Sequence, residues 1–211
     1  MNQIILLDIG NVLLKPIHGK ILNELFINKN NEITEEQFKE KASEVLNKSF
    51  FGNITLDETW SKLFEIVNIT DKAIMAEIKD VEVIRNEELL EYIKKNLSKK
   101  YRIGLISDLS QIGLSVFKKY YEDLYNICDK NLIYISIYKN KTKKANSERY
   151  FQEIFDEIGT KNILFIDDEI DNIKSAEIVG FKTIQFDGGF NSWKTSNKKI
   201  IDFFEERRFE E

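Results

Sequence analysis

Residues 4–14 read IILLDIGNVLL. Four apolar residues run into Asp8, a tight Gly10-Asn11 pair follows, and the chain then turns apolar again. A continuous apolar run bounded by turn residues predicts a strand buried on both faces, as in a parallel sheet. A carboxylate where such a strand ends lies on the sheet edge at which α/β proteins bind their ligands. The rest of the sequence is therefore read for partners of Asp8.

Downstream of residue 86 the pattern alternates. NEELLEYIKKNLSKK predicts a helix, YRIGLIS a strand ending at Ser107, and residues 111–126 a helix. LIYIS is a second such strand, and SERYFQEIFDEIG is a helix stopped by Gly159. NILFIDD is a strand ending in Asp167-Asp168, IDNIKSAEIVG a helix, FKTIQF a last strand, and Trp193 to Phe209 a final helix. Strands alternating with helices of this length predict an α/β fold, a Rossmann-like parallel sheet covered on both faces.

Between the first strand and this region, residues 17–85 have another character. ILNELF, EEQFKEKASEVLNKSF and DETWSKLFEIV carry apolar residues at three- and four-residue spacing, which predicts amphipathic helices. Thr34 with Gln37 has capping-box spacing, and Asp57 is positioned to cap the helix holding Trp60. The expected organisation is a core of residues 1–16 and 86–211 with a small all-helical cap of residues 17–85. Phe50, Phe51, Trp60 and Phe64 would form the core of that cap, some of them facing the substrate entrance.

Composition narrows the chemistry. The chain has 211 residues, 42% hydrophobic and 32% charged, enough for one good core with an inserted subdomain. A formal net charge of −5, with lysines mixed among acidic residues, argues against a nucleic-acid partner. The single cysteine, Cys128, excludes an intramolecular disulfide, and the single histidine, His18, excludes a zinc site built on several histidines. His18 is read as a loop or cap residue. No apolar run approaches the ~20 residues that span a bilayer, and the amino terminus lacks a signal-peptide pattern. A cytoplasmic location with no membrane partner is the expectation, while the oligomeric state is not encoded legibly.

Three predicted strands end in polar groups: Asp8, Ser107 and the pair Asp167-Asp168. In a parallel sheet these ends share one edge, and Lys144, after LIYIS, can reach it. Carboxylates suit a hard cation such as magnesium, and one of them can act as a nucleophile that forms an acyl phosphate. A hydroxyl and an ammonium would hold the phosphoryl oxygens.

On these residues the sequence resembles the haloacid dehalogenase-like (HAD) superfamily. The first motif, hhhhDxDx[TV][LV], is matched by LLDIGNVLL, and the second is Ser107 in GLISD. The third is best matched by Lys144 in KKANSERYF, with Lys141 and Lys143 as rivals, and the fourth by FIDDEIDNI. A helical insert after the first motif is where subclass I members carry their cap. The resemblance implies that Asp8 is nucleophile and metal ligand. It implies that Asp167, Asp168 and the Gly10 carbonyl complete a Mg2+ site. Ser107 and Lys144 would bind phosphate, and Asn172 would help orient the lysine.

The pattern departs from the family in two places. Gly10 stands where most of its phosphatases carry a second Asp that serves as general acid and base, and Ala145 replaces the proline that usually follows the lysine. General acid–base help is typically worth ~10²–10⁴-fold in rate. The D-x-G-N-V start nonetheless resembles a subgroup of sugar-phosphate phosphatases similar to α-glucose-1-phosphate phosphatase. A good leaving group, or an acid supplied by Asp108, would reconcile Gly10 with turnover. The expected function is a magnesium-dependent phosphatase of a small phosphorylated metabolite. The alternative is a catalytically weak relative that binds a phosphorylated ligand or a protein. A metal-independent dehalogenase is disfavoured: its fourth motif would resemble S-x-N, and no arginine precedes Arg85 to bind halide.

Overall fold

The structure is a computed structural model in which residues 3–80, 82–139, 147–189, 191–206 and 209 are described. Five parallel strands form one sheet in the order β3-β2-β1-β4-β5. They are β1 (Ile4–Leu7), β2 (Arg102–Ser107), β3 (Ile133–Ile135), β4 (Ile163–Asp167) and β5 (Lys182–Gln185). Every residue of β1 and β4 is buried, as the unbroken apolar runs require. Alternate side chains supply two separate cores. Ile5, Leu7, Leu105 and Ile166 face one side, and Ile4, Leu6, Ile106 and Phe165 the other.

The first face is covered by α5 (Glu87–Tyr92), its π-helical continuation Ile93–Leu97, α6 (Gln111–Tyr120), α7 (Glu122–Ile127) and α11 (Trp193–Glu205). The second is covered by α9 (Ser147–Ile158) and α10 (Ile170–Val179). Gly159 (φ 71°) and Gly180 (φ 103°) follow these two helices in the left-handed region, the conformation that ends a helix and that glycine adopts without strain.

Between β1 and α5 lie helical cap elements: α1 (His18–Ile27), α2 (Glu35–Phe50), α3 (Leu56–Ile66) and α4 (Lys72–Lys79). They enclose a third apolar cluster around Phe38, Trp60, Leu63 and Phe64, which Ile112 of α6 joins from the core. The Gln111 N–H also donates to Ser49 Oγ at 3.0 Å, so α2 is fastened to the start of α6 by a polar contact as well.

Several local expectations change. Thr34 and Gln37 form the capping box, but Thr55 rather than Asp57 caps α3, closing its own box with Glu58. Both residue types cap well, and the partner three residues on decides between them. Helix α4, capped by Asp71, carries too short a pattern to stand out in the sequence. The helix expected over 111–126 breaks at Tyr121 (φ −129°, ψ 31°), whose buried ring sends its hydroxyl to the Leu13 carbonyl. The LIYIS strand stops at Ile135, where the short helix α8 (Ser136–Lys139) begins and the Ser136 hydroxyl turns to bond Leu109 N and O, at 3.1 and 3.0 Å.

Candidate active site

Register brings the acidic groups together. Leu7 pairs with Ile166 and the Asp8 N–H donates to Ile166 O at 2.9 Å, so Asp8 leaves β1 beside Asp167 at the end of β4. One ligand atom from each of Asp8, Asp167 and Asp168 lies within 4.8 Å of the others. Asp8 and Asp167 are buried and Asp168 is half-buried. Three hard oxygen donors at this spacing, on the edge of a dry sheet, fit a divalent cation that prefers carboxylates.

Two of the three carboxylates, Asp167 and Asp168, are oriented by neighbours. Asn172, in the first turn of α10, donates from Nδ2 to both oxygens of Asp167 at 3.2 Å, and the Glu169 N–H adds a bond to Oδ1 at 2.8 Å. These bonds use the Asn172 Nδ2, and the lysine that Asn172 is expected to orient lies outside the described residues. Asp168 accepts 2.8 Å from Asn11 Nδ2. Asn11 itself has φ 57°, a left-handed conformation that asparagine tolerates better than most residues. Gly188 makes room for this pair. A Cβ there would lie 2.6 Å from Asn11 Cβ and 3.1 Å from Asp168 Oδ2.

The loop that follows Asp8 is held from outside. Its Val12 carbonyl accepts from Asn86 Nδ2 at 2.9 Å, and its Leu13 carbonyl from Asn86 N at 2.8 Å. Asn86 in turn exchanges side-chain bonds with Asn197 of α11, at 2.8 and 2.9 Å. At the loop's end Lys15 Nζ donates to the carbonyls of Gly188 (2.5 Å) and Gly189 (3.0 Å) and lies 4.3 Å from the ring centre of Trp193. Trp193 Nε1 donates to Asn11 O at 2.6 Å. Burial lowers the Lys15 pKa, while the charges of Asp168 and Asp187 act in the opposite direction.

These groups open onto a cavity of ≈ 710 Å³ lined by both core and cap. Of the residues singled out from the sequence, Asp8, Gly10, Ser107, Asp108, Asp168 and Asn172 all line it, with the Asp167 carboxylate just beneath. Ser107 is buried at the end of β2, and the following loop is pinned through Leu109 to Ser136. Lys144, with Lys141 and Lys143, lies outside the described residues.

Three contributors, Asn11, Lys15 and His18, carry no local signature of their part in the site. Asn11 and Lys15 were legible only as loop polar residues. His18 is neither loop nor cap but the first residue of α1, and Ile17 takes the cap position. Its Nε2 lies 2.7 Å from Ser110 Oγ and its ring 5.5 Å from that of Phe50. Ser110 Oγ also accepts from the Gly113 N–H at 3.1 Å. Burial drives the His18 pKa down to about 4. Its position two residues after the only proline, Pro16, just past the strand-one loop, was the one available signal.

No protein-family model matches the chain, and no curated protein matches it. Solved structures do. A HAD family enzyme of Bacteroides thetaiotaomicron superposes with a TM-score of 0.70 at 18% identity, over 90% of this chain and 95% of that one. The same enzyme in complex with magnesium and inorganic phosphate gives 0.67 at 20% identity, over 90% and 96%. A predicted HAD-like family hydrolase of Porphyromonas gingivalis gives 0.65 at 20% identity, over 94% and 97%. The fold is that of the HAD hydrolases, with cap helices inserted after the first strand as in subclass I.

Proposed function

We propose that this chain is a magnesium-dependent phosphatase of a small phosphorylated metabolite, working through an aspartyl-phosphate on Asp8. One observation carries the reading: carboxylate oxygens of Asp8, Asp167 and Asp168 gather within 4.8 Å at the floor of a cavity that Ser107 also lines. The B. thetaiotaomicron enzyme of the same fold has been captured with magnesium and inorganic phosphate, which supports the choice of cation and substrate group. We divide the chain accordingly into a core of residues 1–16 and 86–211 and a cap of residues 17–85.

Asp8, Asp167 and Asp168, with the Gly10 carbonyl, would hold Mg2+, which when bound neutralises phosphoryl charge next to the nucleophile. The Asp8 carboxylate attacks phosphorus, an acyl-phosphate bond forms, and the bond to the leaving oxygen breaks. Ser107 donates to a phosphoryl oxygen, and Lys144 is assigned the matching positive charge. Water then attacks the acyl phosphate, releasing phosphate and restoring Asp8. Asn172 and Asn11 keep the two motif-four carboxylates aimed. Gly10 supplies no acid for the leaving oxygen. We assign that proton to Asp108, which lines the same cavity. Good leaving groups need it least. The D-x-G-N-V resemblance adds sugar phosphates as one class of substrate.

Phosphate release from p-nitrophenyl phosphate and acetyl phosphate, with magnesium and with EDTA, tests this reading against Asp8→Asn. Turnover lost both in the variant and in EDTA is expected. Turnover retained in Asp8→Asn removes the nucleophile assignment. A second reading, a phospho-ligand-binding relative with little activity, is favoured by Gly10 alone. Binding of magnesium and phosphate without turnover would select it.

A further inference from the structure

The cavity has two chemically distinct ends. Its floor is acidic, while the lining contributed around the cap is apolar and aromatic: Pro16, Phe50, Phe51 and, from the core rim, Leu109. Among the described residues two polar cap side chains line it, His18 and Asn47. His18 is held neutral by burial and already shares its Nε2 with Ser110. Every charged side chain among the described lining residues is acidic, and no lysine or arginine is among them.

This wall discriminates between leaving groups. A sugar presents four or five hydroxyls, and each one left unpaired on desolvation costs roughly tenfold in affinity. On its cap side the described wall offers those hydroxyls two neutral polar side chains, one of them already engaged. A leaving group carrying a second phosphate or a carboxylate would meet Asp108, Asp168 and Glu169 along the described lining. An apolar or aromatic group with one hydrogen-bonding function matches what is present, in the usual manner of small-molecule pockets.

We propose that the substrate is a phosphomonoester of a neutral, predominantly apolar alcohol, with Phe50 and Phe51 forming the wall for its organic portion and Asn47 its polar contact. This rests on the phosphatase reading above and narrows it away from sugar phosphates.

The test compares kcat/KM for 2-phenylethyl phosphate, glucose 6-phosphate and 2-phosphoglycolate, all with primary-alcohol leaving groups, with acetyl phosphate as reference. A tenfold or greater preference for 2-phenylethyl phosphate over both others supports the proposal, and any smaller preference overturns it. In Phe51→Ala the ratio of kcat/KM for 2-phenylethyl phosphate to that for acetyl phosphate should fall about tenfold. An unchanged ratio removes the aromatic wall. If acetyl phosphate itself is not turned over, the phosphatase reading fails and calorimetry judges the wall separately. With magnesium present, 3-phenylpropylphosphonate binding tenfold tighter than phosphonoacetate supports it, and weaker or equal binding overturns it.

Discussion

Asn11 Nδ2 donates a 2.8 Å hydrogen bond to Asp168 Oδ2, linking the loop after the first strand to the acidic pair at the end of the fourth. The two residues are far apart in sequence and belong to different loops. Together they set the direction of one of the three carboxylates.

Removing the Asn11 amide should therefore loosen the cation site. Asn11→Gly is the clean change, since glycine accepts φ 57° without strain. Partners of this kind typically contribute 10–100-fold to metal affinity. Titration calorimetry should show magnesium binding weakened about tenfold, with the melting temperature of the magnesium-free protein little altered. Unaltered magnesium affinity would rule out the orienting role.

Gly10→Asp should be accommodated. A Cβ at Gly10 would have Asp8 Oδ2 as its nearest neighbour, 3.9 Å away, and the position is not in the left-handed region. The new carboxyl could then protonate the leaving oxygen. Hydrolysis of an alkyl phosphate should rise ~10²-fold, the lower end for general acid catalysis, while acetyl phosphate should change by less than about threefold. An equal change for both substrates would mean that leaving-group protonation is not what Gly10 lacks.

His18 makes stability depend on mild acid. Its folded pKa, about 4, lies below the ordinary 6.5, so the unfolded chain takes the proton first. The stability this group contributes is complete above about pH 6.5, declines as pH falls toward 4, and changes no further below that. The loss should not exceed about 3 kcal/mol, and less where solvent reaches the half-buried ring. Urea unfolding of wild type and His18→Gln at pH 7 and pH 4.5 measures it. The wild type should lose more than the variant, and parallel losses would contradict the assignment.

Gly104→Ala should cost stability directly. A Cβ there would come within 2.5 Å of Leu132 O and 2.7 Å of Leu6 Cδ2, at the centre of the sheet. Overpacking against backbone is expected to cost about 3 kcal/mol. Chemical denaturation should show a lower midpoint with an unchanged slope.

The sheet and most of its helices were legible because each depends on a local period. The buried runs of β1 and β4 and the three-four spacing of α2 and α3 need no distant partner to be recognised. Asp8, Ser107 and Asp167-Asp168 were legible for a topological reason, since the ends of parallel strands share an edge. What escaped depends on contacts across the fold. Asn11 acquires meaning only when Asp168 is placed beside it, and His18 only when α1 packs on the start of α6. Tyr121 breaks its helix because Leu13, over a hundred residues earlier, offers its hydroxyl a carbonyl. The choice of Thr55 over Asp57 turned on one reciprocal bond from Glu58, a distinction that composition does not record.

The gathering of Asp8 with Asp167 and Asp168 from strands so distant in the chain also has a thermodynamic consequence. An unfolded chain cannot hold the three carboxylates together, so a cation bound there would select the folded state and stabilise it by mass action. At a hundred times its dissociation constant that amounts to about 2.7 kcal/mol, a sizeable share of the stability of an ordinary domain. The same ion relieves the mutual repulsion of three neighbouring negative charges, a strain that the cation-free fold bears alone. On the proposed reading, divalent-ion concentration would set how long this protein survives as well as what it can do.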